Sequence, residues 1–153
     1  MMHSGADNKS KDLFWAAFVL FLVGIHSILL GVIIYFYTDF FYKVFFASSV
    51  ENLFFVRQSG IFLFLAGFFY LYPLLNLKNL YNMILLVIFS KVVAVFFLIT
   101  NAGYTSAPLM IYLGSFIDGL MALVLVTVYF RLKNRIPSKQ KQHRGRAGLK
   151  EPA

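Results

Sequence analysis

Four long apolar runs dominate the pattern of hydrophobic and polar positions along the chain. They cover residues 13–37, 58–77, 80–100 and 107–130. As a helix, each run is long enough to cross a bilayer core of about 30 Å. The period-two alternation that is typical of membrane strands is absent. The pattern therefore predicts an all-α integral membrane protein, with a four-helix bundle over residues 13–130.

Two of these runs carry a single charge near the middle. Lys91 lies halfway along the third run and Asp118 halfway along the fourth. An unpaired charge at the centre of a membrane helix costs about 2.5–3.5 kcal/mol on insertion scales. Antiparallel neighbours joined by a short turn have their midpoints at the same depth, so we expect a direct Lys91–Asp118 pair. Such a pair either only fixes helix register or forms a protonatable or ligand-binding centre.

Other polar residues accompany this predicted centre. Arg57 and Gln58 stand at the start of the second run and are expected to form a second polar layer nearer the outer surface. His26 is near the middle of the first run, where we expect a neutral histidine that is hydrogen-bonded inside the bundle, with a proton relay as the alternative. Tyrosines near the opposite boundary are expected to act as interfacial anchors; they are Tyr70, Tyr72 and Tyr81.

Small residues recur at helical spacing on three of the runs. Such spacing lets membrane helices approach closely, because lipid offers no hydrophobic force to drive them together. These faces are predicted to meet at the bundle axis. The first contains Gly24, Ser27 and Gly31; the second Arg57, Gly60, Phe64, Gly67 and Tyr70; and that of the fourth run Gly114, Ser115, Asp118, Gly119 and Ala122.

The basic residues predict the orientation. Most of them follow residue 130, while residues 101–106 carry no charge. Because cytoplasmic segments are enriched in Lys and Arg, both termini are expected in the cytoplasm. Residues 1–12 are then a cytoplasmic tail, and residues 131–153 a disordered basic tail that lies on anionic lipid. No aromatic residue follows Phe130, which argues against nucleic-acid binding.

The connection at residues 38–53, expected outside the cell, is unusually aromatic. Four apolar residues fall on one side of it at helical spacing, with Lys43 off that stripe. They are Phe40, Phe41, Val44 and Phe45. The pattern predicts an outer loop that lies in the membrane interface, either as an anchor or as a lid over a cavity.

The polar positions also carry a family resemblance. The second run has Arg-Gln-x-Gly followed by Gly-x-x-Tyr, the third has Ser90 before its lysine, and the fourth has the aspartate. This order over residues 13–130 resembles a group of small bacterial four-helix membrane proteins of uncharacterised activity, and the layout is similar to DoxX-like proteins. In that group a glycine often precedes the lysine. The resemblance implies a location in a bacterial cytoplasmic (inner) membrane and a loose association with quinone-linked redox systems.

Enzymatic signatures are missing from the chain. It has no cysteine, no helical spacing of His with a second ligand, and no pair of carboxylates within one run. We therefore predict no catalytic residue, no metal and no cofactor. The expected function is that of a non-catalytic accessory subunit, or one that binds a small ligand, quinone or lipid. The expected partners are the lipid bilayer, other membrane subunits or a second copy. A proton-coupled or small-solute transporter and a membrane enzyme acting on lipid or quinone stay open.

Overall fold

The protein is all-helical over the residues that its computed structural model describes, which are 4–46, 52–75, 80–104 and 108–135. The helices are α1 (Ser4–Phe36), α2 (Thr38–Phe46), α3 (Leu53–Leu71), α4 (Leu80–Asn101) and α5 (Pro108–Arg135), with short 3₁₀ turns at Tyr72–Leu74 and Ala102–Tyr104. Those described ranges contain no strand. All but α2 are long and apolar enough to cross a membrane, which confirms the predicted helical class and the number of candidate spans.

Two helices extend beyond the predicted bundle. α1 begins at Ser4, so most of the predicted tail 1–12 continues the first helix. α5 runs to Arg135 and therefore includes the first residues of the predicted basic tail. Leu, Lys and Arg are good helix formers, and the residue before a proline disfavours the helical conformation, so an end just before Ile136-Pro137 is expected. The predicted disorder of residues 136–153 lies outside the described residues.

The spans associate as two antiparallel pairs. α1 packs along α3, α4 packs along α5, and contacts between α1 and α5 join the two pairs. We call the end of the bundle where α1 meets α2 and where α5 begins the α2 end, and the opposite end, where α1 begins and α5 finishes, the terminal end.

Four glycines bring α1 and α3 into backbone contact. A Cβ atom on Gly31 would lie 2.6 Å from the carbonyl oxygen of Gly60, and one on Gly67 would lie 2.7 Å from the carbonyl oxygen of Gly24. These are distances that real Cβ contacts do not reach, so only glycine fits this packing. The predicted meeting of the first two small-residue faces is confirmed.

The small-residue face of α5 behaves differently. A Cβ atom on Gly119 would meet Val95 at 3.8 Å, and one on Gly114 would meet Leu98 at 3.9 Å. Both are ordinary contacts, because the side chains of Val95 and Leu98 hold α4 away from the α5 backbone. The prediction that this face also packs closely is therefore wrong. Its small residues leave a groove instead.

The buried core lies toward the terminal end and joins all four spans. It consists of Ala16, Leu20 and Val23 of α1, Tyr70 of α3, Leu80, Ile84 and Val87 of α4, and Leu125 of α5. Large apolar side chains face outward over much of the rest; Phe89, Phe96 and Phe116 are among them. Such a surface suits hydrocarbon rather than water, which supports a membrane location.

The aromatic connection folds as α2. Its first residue, Thr38, donates a hydrogen bond from its hydroxyl to the carbonyl oxygen of Ile34 at 2.7 Å, which ties the start of α2 to the end of α1. Phe41 and Phe45 stack with their ring centroids 4.4 Å apart and are half-buried, whereas Lys43 is exposed. The helical spacing is confirmed. The interfacial position and the anchor or lid role of this segment stay predictions, and residues 47–51 lie outside the described residues.

Candidate functional site

The centre of the site is the ion pair of Lys91 and Asp118. The Lys91 ammonium donates a hydrogen bond to Asp118 Oδ1 across 2.6 Å, so the predicted direct pair between α4 and α5 is confirmed. Only 5% of the Lys91 side chain is exposed, against 15% for Asp118. The carboxylate is therefore the more accessible member of the pair.

Helix geometry sets the two charges at one depth. Lys91 lies ten residues before Asn101, the last residue of α4, and Asp118 lies ten residues after Pro108, the first of α5. Because each residue adds about 1.5 Å along a helix, both side chains are about 15 Å from the α2 end. That is about half the thickness of a bilayer core.

His26 approaches the same depth from α1. It lies ten residues before Phe36, where α1 ends, and the charges of both Lys91 and Asp118 act on its imidazole. Its Nδ1 atom is buried, with no hydrogen-bond partner among the described residues, so the expected hydrogen bond is missing at this nitrogen. The neighbouring Ser27 is fully buried on the glycine face, and its hydroxyl also lacks a partner there.

Two tyrosine contacts were not predicted by the sequence. Tyr70 is buried, and its hydroxyl makes a short hydrogen bond to that of Ser90, which directly precedes Lys91. Tyr81 stacks on Tyr129 with 4.5 Å between the ring centroids, and its hydroxyl donates to that of Tyr129 at 2.5 Å.

The first of these contacts corrects the view of Tyr70 as an interfacial anchor, because this residue is buried and its hydroxyl pairs with one on a neighbouring helix. Tyr81 is only half-buried at the second residue of α4, and its role as an interfacial anchor stays a prediction. The first contact ties α3 to α4 beside the central lysine. Tyr72, by contrast, is 62% exposed. Its role as an anchor stays a prediction.

A groove beside the ion pair runs along the outer side of α4 and α5. Its volume is about 590 Å³, within the range of about 300–1,000 Å³ that ligand pockets occupy. Neither charge lines it, but Val92 and Gly119, the residues that follow them, do. Ser115 is the buried hydroxyl in its wall. The other lining residues are Val95, Ile99, Tyr112, Phe116, Leu120, Ala122, Leu123 and Val126.

Arg57 and Gln58 line a different groove from the one beside the ion pair. It has a volume of about 520 Å³ and lies at the α2 end of α1 and α3. Neither Lys91 nor Asp118 lines it, and the second polar layer nearer the outer surface stays a prediction. The remaining lining residues are Tyr35, Leu53, Phe54 and Ile61.

The chemistry available at the central site is hydrogen bonding in apolar surroundings. Across the described ranges no group of three or more His, Asp or Glu side chains is placed to hold a metal ion. Asp118 is a hydrogen-bond acceptor, the Nδ1 atom of His26 has no partner among the described residues, and the adjoining groove is lined mainly by apolar side chains.

Comparison with known proteins gives no relative. No protein-family model matches the chain, and neither a curated protein nor a solved structure matches it. The resemblance to DoxX-like proteins stays a prediction from Arg57, Gln58, Lys91 and Asp118.

Proposed function

We propose that the chain is a non-catalytic binding or accessory subunit of a bacterial cytoplasmic membrane, which takes a small amphipathic ligand of the quinone or lipid class next to the Lys91–Asp118 pair. The observation that carries this proposal is the apolar groove of α4 and α5, which adjoins a buried ion pair through Val92 and Gly119. A membrane-dissolved ligand reaches such a groove laterally from the bilayer.

The groove and the ion pair suit different parts of one ligand. The wall of the groove is apolar apart from a few polar atoms such as the Ser115 hydroxyl, which suits a ring or an acyl chain. A carbonyl or hydroxyl head group needs hydrogen-bonding partners once it has left water. Ser115 supplies one partner in the wall, and Asp118, 15% exposed, supplies an acceptor one helical turn further along α5.

The ion pair itself supports binding rather than catalysis. Asp118 is held by an ammonium group at 2.6 Å, so it is a paired carboxylate rather than a free base. A ligand that hydrogen-bonds to it exploits a polarity that is rare at this depth in a membrane. The buried charges keep the site polar while the surrounding helices keep it dry. Other membrane subunits or a second copy are the partners that we propose for the exposed apolar faces.

Filling the groove should weaken ligand binding. In Gly119→Leu the new side chain enters the groove, and its Cβ atom would make an ordinary contact with Val95 at 3.8 Å. We expect binding of a short-chain ubiquinone analogue, measured by intrinsic fluorescence quenching of the purified protein in nanodiscs, to weaken by more than about tenfold, which is 1.4 kcal/mol.

The control is Val93→Phe, which adds bulk to a half-exposed position of α4 outside the groove. It should bind as the unsubstituted protein does. A short-chain phospholipid tested in parallel separates the two ligand classes. Equal affinity of Gly119→Leu and the unsubstituted protein for every probe would refute binding in this groove.

The proposed orientation has its own test. The chain has no native cysteine, so single cysteines report cleanly. Tyr104→Cys, at an 88% exposed position of the α2 end, should react with a membrane-impermeant maleimide in intact cells. Lys133→Cys, exposed at the terminal end, should react only after permeabilisation. The reverse pattern would place both termini outside.

A further inference from the structure

We propose a second binding site, independent of the central one, at which the Arg57 groove holds the phosphate of an anionic phospholipid. The groove lies between the α2 ends of α1 and α3 and is lined by Arg57, Gln58 and Tyr35 together with apolar side chains. It binds lipid as a fixed partner of the fold, whatever occupies the groove of α4 and α5.

Arg57 gives the groove a positive charge. It is the one charged residue among the described residues that line the groove. It is exposed, and the structure records no ion pair for it within the described ranges. A guanidinium group offers five donors in a planar fork that matches two phosphate oxygens at once. The charge of Arg57 therefore favours an anionic ligand in the groove.

Arg57 lies close to the end of α3. Arg57 is the fifth residue of α3, which begins at Leu53, so it lies about 6 Å along the helix from its start. Long basic side chains at this position extend toward the membrane boundary, where lipid phosphates lie. The charge is thus at the height of a head group rather than in the hydrocarbon centre or in bulk water.

The groove combines hydrogen-bonding groups with apolar side chains. Gln58 and the Tyr35 hydroxyl provide further hydrogen-bonding groups beside the guanidinium. Phe54 and Ile61 are exposed apolar residues on either side of Arg57 along α3, about 10 Å apart in helical rise. A lipid with its phosphate at Arg57 and an acyl chain along Ile61 would contact both the polar and the apolar residues of the groove.

Charge balance selects the class of lipid. A zwitterionic head group brings a cation into a groove in which none of the described lining residues is acidic. An anionic head group such as that of phosphatidylglycerol brings none. The groove therefore favours a net negative phospholipid over phosphatidylcholine with the same acyl chains, although both contain a phosphate.

Native mass spectrometry of the purified full chain tests the site. The protein in detergent is titrated with phosphatidylglycerol or with phosphatidylcholine of identical chains, and the bound lipids are counted. For Arg57→Gln we expect the tightest phosphatidylglycerol site to weaken by about tenfold, as lost hydrogen bonds to a charged group imply. The affinity of Arg57→Lys for phosphatidylglycerol should lie between those of the unsubstituted protein and Arg57→Gln, because lysine keeps the charge but lacks the planar fork.

The matched control is Lys43→Gln, which removes one exposed positive charge from α2, outside the groove. It should bind phosphatidylglycerol like the unsubstituted protein, and the basic residues after Phe130 are the same in all variants. Unchanged binding in Arg57→Gln would overturn the proposal, as would equal losses in Lys43→Gln. Displacement of the lipid by excess inorganic phosphate would also overturn it, in favour of a soluble anion site.

Discussion

Removing one charge of the Lys91–Asp118 pair should cost about 3 kcal/mol of unfolding free energy, whereas removing both should restore most of that loss. Asp118→Asn leaves a buried lysine without its counter-charge, and Lys91 must then deprotonate or move. Lys91→Met strands the carboxylate, which then takes up a proton. The double substitution removes both charges, so that neither is left buried without its partner. Reversible unfolding in mixed micelles measures all four proteins.

The coupling energy of this double-mutant cycle decides whether the contact acts as a pair. Asp39 and Lys43 provide the matched control, since both are exposed and lie four residues apart on α2. Their coupling should not exceed about 0.5 kcal/mol, the usual value for exposed helical ion pairs. Additive effects at Lys91 and Asp118 would contradict mutual compensation.

The same four proteins separate structure from function. If the double variant regains stability but no longer binds the quinone or lipid probe, the pair is part of the binding site. If stability and binding both return, the pair serves only to fix the register of α4 and α5. The distinction rests on binding measurements made on folded protein, so a loss of yield in the single variants does not obscure it.

The depth of the site could be predicted from the sequence, because rise per residue is nearly constant along a helix. Lys91 and Asp118 each lie near the middle of a run, and an antiparallel hairpin brings such midpoints together. The same argument applies to Gly24, Gly31, Gly60 and Gly67: equal seven-residue spacing on two antiparallel helices makes both pairs meet at once. Distances along the helix axis are thus readable from residue numbers.

Rotation about the helix axis is harder to read from this sequence. In a soluble protein the apolar stripe shows which side faces the core, but lipid and core are equally apolar here. Tyr70 therefore looked like a boundary anchor, although it is buried and its hydroxyl points to Ser90 on another helix. The groove that Arg57 and Gln58 line with Tyr35 of α1 was likewise not predicted from the sequence.

Close packing depends on the opposing helix as well as on the glycine. Gly119 and Gly31 look alike in the sequence, each within a set of small residues at helical spacing. The structure distinguishes them, because Gly31 faces the backbone of Gly60 and Phe64 while Gly119 faces the side chain of Val95. The groove beside the ion pair exists for this reason, whereas the glycines of α1 and α3 bring those two helices into backbone contact.

Gly31→Ala should therefore be destabilising, whereas Gly119→Ala should be neutral or stabilising. The added methyl at Gly31 would lie 2.6 Å from backbone atoms of both Gly60 and Phe64, which move only if the helices separate. Overpacking of this kind costs about 1–3 kcal/mol. That cost outweighs the gain of about 1 kcal/mol that alanine brings to a helix over glycine. At Gly119 only the gain applies.

Gly24→Ala refines this comparison, because the atoms it would meet first belong to the side chain of Leu71, at 2.5 Å and 2.7 Å. A flexible side chain rotates away more cheaply than a backbone shifts, so Gly24→Ala should fall between Gly31→Ala and Gly119→Ala in unfolding free energy. Adding Leu71→Ala should relieve Gly24→Ala but leave Gly31→Ala unrelieved. If Gly31→Ala proves as stable as Gly119→Ala, α1 and α3 do not meet through their glycines, and the antiparallel pair described here is incorrect.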